Sequence, residues 1–136
     1  MNKVYLIDDD EDDQLLFKEA ILSLSVPMHC DTAMNGQIAL ENLKKGITMP
    51  DIIFLDLNMP IMNGFDFLKQ IKKDDKLTHI PVGIFSTSNN ASDKELAKEL
   101  GANFFITKPN DFQALIKKLQ QILTIDFAIA KHSLII

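Results

Sequence analysis

Residues 50–64 read PDIIFLDLNMPIMNG. Within that stretch Ile52, Ile53, Phe54 and Leu55 are apolar without a break, between Pro50 and Asp56. A strand with one wet face would alternate. An unbroken apolar run suits a strand covered on both faces, as in a parallel sheet flanked by helices. Asn63-Gly64 is turn chemistry and opens a helical pattern from Phe65 to Lys73.

The same alternation runs outward in both directions. Val4-Tyr5-Leu6-Ile7 predicts a first strand, stopped by a block of acids. A helical pattern follows from about Asp12 to Leu24, with Leu15, Leu16, Glu19, Ile21 and Leu22 near helical spacing and Pro27 beyond its end. Met28 to Met34 is a weak second strand, and Asn35-Gly36 leads into a helix from Gln37 to Lys45, closed by Gly46. Downstream, Pro81 introduces a strand at Val82-Gly83-Ile84-Phe85. Ser92 or Asp93 caps a helix ending at Leu100-Gly101. Phe104-Phe105-Ile106 predicts the fifth strand, and a last helix runs from Asp111 to about Leu123. Strands alternating with helices predict an α/β fold, an open doubly wound parallel sheet. Five units are too few for a closed eight-unit barrel.

A length of 136 residues suits one domain, and 46% hydrophobic residues suffice for a core. No apolar run is long enough for a membrane span, and MNKVYLIDDD lacks the apolar stretch of a signal peptide. The lone Cys30 excludes an internal disulfide and a thiolate-rich metal site. These features predict a cytoplasmic protein. The net charge of −5 has one source: Asp8, Asp9, Asp10, Glu11, Asp12 and Asp13 are consecutive. Without those six, 13 acids face 14 bases. Every base is Lys, and without Arg to grip guanine edges or phosphates by two prongs, direct DNA reading is disfavoured.

In an open parallel sheet, ligands bind where the strands end. The first strand delivers Asp8 and Asp9 there, the third Asp56, the fourth Ser86 and Thr87, the fifth Thr107 and Lys108. Carboxylates that converge repel one another unless a cation joins them. A hard divalent ion with oxygen ligands fits, Mg²⁺ above all. The metal and Lys108 would together neutralise a phosphoryl group, and Ser86 could hydrogen-bond one of its oxygens. No Cys or His stands at a strand end, so a carboxylate is the nucleophile. Paired Asp8 and Asp9 suit metal holding, and the solitary Asp56 suits attack.

LIDDD at 6–10, FLDLNMPIMNG at 54–64, IFSTS at 84–88 and ITKP at 106–109 together resemble a response-regulator receiver domain of two-component signalling, of the single-domain, chemotaxis-regulator-like kind. The likeness covers residues 4 to about 123. It implies a flavodoxin-like (βα)5 sheet in the order 2-1-3-4-5, with a receiver domain over 1–124 and an apolar C-terminal tail over 125–136. It implies that Asp56 is the phosphoacceptor, taking its group from a sensor histidine kinase or phosphotransfer protein. Asp9 and Asp56 would ligate Mg²⁺ through side chains, Asn58 through its backbone carbonyl, and Asp8 through a bound water. Lys108 would pair with the phosphoryl group and precede a cis bond to Pro109. Ser86 and Phe105 would be the switch residues. Asn58 and Ser88 stand where the family tunes dephosphorylation. The expected protein is a switch rather than a turnover enzyme, with no output domain, no DNA or membrane binding, and a protein contact over the last two helices and fifth strand.

The same residues admit other readings. Asp8, Asp10, Asp12 and Glu19 fall at calcium-loop positions, but Asp13 occupies the place of the turning Gly and a strand precedes. Asp10 to Asp13 read as a helix start and solvated rim. A haloacid-dehalogenase-type phosphatase also uses an Asp nucleophile and Mg²⁺, but it carries a second Asp where this chain has Asn58. His29, His79 and His132 read as surface residues, and Cys30 as a small core residue. The tail IDFAIAKHSLII either packs back on its own domain or extends an oligomer interface. Resemblance to phytochrome-associated regulators implies a homodimer through the last helix and strand.

Overall fold

The unbroken apolar runs become the middle of a sheet. The computed structural model describes residues 2–127 and 134–135. In chain order the elements are β1 (Lys3–Ile7), α1 (Glu11–Leu22), β2 (His29–Ala33), α2 (Gly36–Lys44), β3 (Ile52–Leu55), α3 (Gly64–Lys73), β4 (Val82–Ser86), α4 (Ala91–Glu99), β5 (Phe104–Thr107), α5 (Phe112–Leu123) and β6 (Leu134–Ile135). All pairings are parallel, in the order β2-β1-β3-β4-β5-β6. The expected 2-1-3-4-5 order is present, and a short sixth strand is added to it. β6 pairs Leu134 with Phe104 and Ile135 with Phe105. It satisfies backbone groups that an edge strand would leave open, and a two-residue strand has no periodicity to betray it.

Alternate residues of each central strand feed two cores. Tyr5, Ile7, Ile53, Leu55, Ile84 and Phe105 face the side covered by α2, α3 and α4. Val4, Leu6, Ile52, Phe54, Phe85 and Phe104 face α1 and α5. On that second side Phe17 meets Phe54, and Phe54 meets Phe104, both edge-on with centroids 5.1 Å apart, the geometry the ring quadrupoles favour. Cys30 packs at the margin of this core, where burial pushes its thiol up to about 12. Ile125 and Phe127 pack there too, so the start of the tail folds onto its own chain. Residues 128–133 and 136, His132 among them, lie outside the described residues.

Side-chain caps set the helix starts. Asp10 caps α1, Asn35 α2, Asn63 α3 and Asp111 α5. The cap of α4 is Asn90, not Ser92 or Asp93: the Asn90 side-chain oxygen accepts from the Ser92 N–H at 2.9 Å and its hydroxyl at 2.6 Å. Asn is among the strongest N-cap residues, so it pulls the start of the helix upstream. No described peptide bond is cis, which corrects the expectation for Lys108–Pro109. Trans is the favoured isomer of such a bond by about 0.5–1 kcal/mol, and Lys108 N–H still donates to the Ser86 carbonyl at 2.7 Å.

Candidate functional site

Each key residue stands one step beyond a strand, with its backbone still held by the neighbouring strand. Asp8 N–H donates to the Ala33 carbonyl (3.0 Å), Asp56 N–H to that of Ile7 (2.9 Å) and Lys108 N–H to that of Ser86 (2.7 Å). The parallel register therefore fixes three side chains from distant parts of the chain at one edge. Carboxylate oxygens of Asp8, Asp9 and Asp56 lie within 4.8 Å of one another. Asp8 is fully buried and Asp56 nearly so, while Asp9 is exposed. Lys108 Nζ lies 2.8 Å from Asp8 Oδ2 and 3.7 Å from Asp56 Oδ2, and 5.6 Å from the centre of the Phe85 ring.

The remaining oxygens of the acids are held by backbone. Asp8 Oδ1 accepts from Asp10 N–H at 3.0 Å, and Asp56 Oδ1 from Leu57 N–H at 2.8 Å. Ser86 is buried beside them, and its hydroxyl oxygen accepts from Ser88 N–H at 3.3 Å. Ser88 in turn donates to Asp93 at 2.7 Å. Phe105 is buried on the side of the sheet covered by α2, α3 and α4, with Lys94 Nζ 5.9 Å from its ring centre. A cleft of about 400 Å³ opens beside Asp9, bounded by Asn58, Met59, Phe65 and Asp93.

Charge in this site is expensive. Burial pushes the Asp56 carboxyl up to about 6, with Lys108 pulling it down and Asp8 pushing it further up. Asp8 is raised by burial too, against the pull of its Lys108 hydrogen bond. For Lys108, burial acts downward, but hydrogen bonds to Asp13 and Asp8 outweigh it and leave the ammonium above its ordinary value. Two buried carboxyls strained toward neutrality, next to an exposed third, make a donor set that a hard divalent cation would relieve. The residues fit such an ion.

The strand ends read from sequence thus meet, and Asp13 joins them unannounced. Its Oδ2 lies 2.7 Å from Lys108 Nζ, where the sequence suggested only a solvated rim. One signal could have revealed it. Helical side chains lean toward the N-terminus of their helix, so an acid in the first turn of α1 leans back over the strand end.

The loop after Asp56 hides a second surprise. Ile61 has φ 70° while its side chain is 78% exposed. A β-branched residue in the left-handed region costs about 1–2 kcal/mol. Ile61→Asn, which tolerates that conformation, is expected to raise stability by about 1 kcal/mol in urea denaturation.

Fold and site define a doubly wound α/β protein with an acid-and-lysine cluster where strand order reverses, between β1 and β3. Residues 4–120 match the family model described as response regulator receiver domain, and the chain belongs to that family. The protein-glutamate methylesterase/protein-glutamine glutaminase of Treponema denticola is 46% identical over 82 residues, 59% of this chain and 21% of that protein. The chain spans only 21%, 13% and 4% of three longer curated relatives. Response regulator Rcp1 of Synechocystis is 29% identical over 124 residues, 88% of this chain and 84% of that protein. Among solved structures, the phosphorylated cyanobacterial phytochrome response regulator RcpA superimposes with a TM-score of 0.83 at 31% identity, covering 97% of this chain and 96% of that one. The Mn²⁺-bound form of Rcp1 gives 0.80 at 28%, covering 90% and 91%. No helix among the described residues is long and apolar enough to cross a membrane.

Proposed function

We propose that the chain is a phosphoacceptor switch of a two-component phosphorelay, with Asp56 as the acceptor. The observation that carries this reading is the meeting of a nearly buried Asp56 with Asp8, Asp9 and the Lys108 ammonium at one sheet edge. An Asp56 oxygen attacks the phosphorus of a phosphohistidine on a sensor histidine kinase or phosphotransfer protein. The phosphorus–nitrogen bond breaks, and its electron pair stays with the imidazole. Lys108 balances the charge on the transferred group, and the Ser86 hydroxyl donates to one of its oxygens. Positioning and charge neutralisation supply the acceleration. Asp9 and Asp56 side chains, the Asn58 carbonyl and, through water, Asp8 would hold Mg²⁺, which when bound shields the phosphoryl oxygens.

The output is proposed to be a protein contact over α4, β5 and α5. Ser86 and Phe105, on adjacent strands, link it to the acceptor, and phosphorylation biases an equilibrium between two arrangements. The receiver unit is taken as 1–124 and the tail as 125–136, with a homodimer through the last helix and strand, in the cytoplasm. On this reading the protein is not a turnover enzyme and does not contact DNA.

Incubation with Mg²⁺ and acetyl phosphate, followed by intact mass, tests the assignment. One phosphoryl group is expected on the natural chain, none on Asp56→Asn, and none when a chelator replaces Mg²⁺. Uptake that survives in Asp56→Asn would overturn the acceptor, and rapid turnover of unrelated phosphate esters would favour a phosphatase.

A further inference from the structure

The Lys108 ammonium is committed to α1 more than to the acceptor. Its hydrogen-bonded partners are Asp13 Oδ2 at 2.7 Å and Asp8 Oδ2 at 2.8 Å, whereas Asp56 Oδ2, at 3.7 Å, is beyond hydrogen-bond range. Asp13 is held in place by the helix start. The Asp10 side chain accepts from the N–H groups of both Asp12 and Asp13, at 2.9 and 3.1 Å. Asp10 N–H in turn donates to Asp8 Oδ1 at 3.0 Å, which joins this cap to the acid cluster. The Asp13 side chain is 32% exposed, so its charge sits at the mouth of the site rather than in its floor.

We infer that Asp13 is a positioning residue that holds Lys108 back from Asp56 and thereby restrains phosphoryl uptake. The inference rests on the reading of Asp56 as acceptor. Two effects act in the same direction. The Asp13 carboxylate shares an ammonium that the transferred phosphoryl group would otherwise hold more fully. Its negative charge at the mouth also opposes an anionic phosphodonor. When a cation engages Asp8, Asp13 remains as the partner that keeps Lys108 on the α1 side. Asp13 touches neither donor nor acceptor and acts through the lysine.

The test uses the full chain at saturating Mg²⁺, with acetyl phosphate as donor and intact mass as readout. In the measured step the Asp56 oxygen–phosphorus bond forms, the phosphorus–oxygen bond to acetate breaks, and acetate leaves with the electron pair. Asp13→Asn is expected to take up the phosphoryl group about fivefold faster, the scale of one partly exposed ion pair. The gain should shrink as salt is raised. Asp13→Glu, which restores the charge, should return the rate toward that of the natural chain. Beryllofluoride titrated calorimetrically should bind Asp13→Asn more tightly by a similar factor. A merely structural Asp13 would give a slower variant, not a faster one. If the natural chain is phosphorylated on Asp56 and Asp13→Asn is equal or slower, the restraint is overturned. If the natural chain takes up no phosphoryl group, it is the acceptor reading that fails.

Discussion

Gly64→Ala is expected to damage both stability and phosphoryl uptake, although it adds a single methyl group. Gly64 opens α3, and its N–H donates to the Leu57 carbonyl at 3.0 Å. A Cβ there would collide with the Asp56 carbonyl oxygen, and would lie 2.9 Å from Leu57 Cα and 3.1 Å from the Asp56 carbonyl carbon. All three atoms are backbone, so no side chain can swing aside, and the strand end or the helix must move. Overpacking of this kind costs about 1–3 kcal/mol. The displaced backbone is that of the proposed acceptor, and an acceptor misplaced by an ångström loses about 100-fold in rate. Urea denaturation measures the first effect, and uptake from acetyl phosphate, well below the unfolding midpoint, the second. Gly46→Ala is the control. Gly46 has φ 72°, and a methyl group there would meet nothing within 4 Å, so this variant should lose only conformational stability, about 1 kcal/mol, and keep the rate. Equal behaviour of the two variants would refute the argument.

Lys108→Met is expected to cut phosphoryl uptake by about 100-fold or more, the effect of removing one charged group that stabilises a developing anion. It should also change how stability depends on pH in the metal-free protein. In the natural chain, burial lifts Asp56 from the ordinary 3.8 to about 6. Between those values the folded chain keeps a proton that the unfolded chain releases. Stability therefore falls as pH rises through this window, by on the order of 2–3 kcal/mol, and then levels. Lys108 contributes stability instead, because its charged form is the one the fold favours. Its folded value is raised, so its contribution is fully present below its unfolded pKa and persists through neutral pH. Without the ammonium, Asp56 and Asp8 lose the partner that pulls them down. The fall in stability should deepen and extend above pH 6, and Mg²⁺ should reverse more of it than in the natural chain. Melting temperatures across pH 4–8, with chelator and with Mg²⁺, give the comparison. A variant whose pH profile matches the natural chain would show that the lysine does not govern these carboxyls.

Much of this site was legible in the chain. Ile52 to Leu55 demanded a strand buried on both faces, and the strand-end rule then gathered Asp8, Asp9, Asp56, Ser86 and Lys108 at one edge. Those signals are local: an apolar run, the residue that stops it, and the turn that follows. The strand β6 was not legible, because its two residues join the sheet only if β5 offers an edge to pair with. The left-handed Ile61 was hidden because its residue type argues against the conformation that the loop imposes.

By itself the sequence determined the five-unit α/β order and the acids that terminate its strands, because apolar periodicity and turn residues act over a few positions. Only the tertiary structure decided how the six consecutive acids divide. Asp8 is sealed in the floor, Asp9 opens to solvent, Asp10 caps α1 and Asp13 grips Lys108 across 95 positions of chain. Neighbours in sequence part company here because a strand end and a helix start point their side chains in different directions. Which of them meets the lysine depends on how β1 and β5 are carried to the same sheet edge.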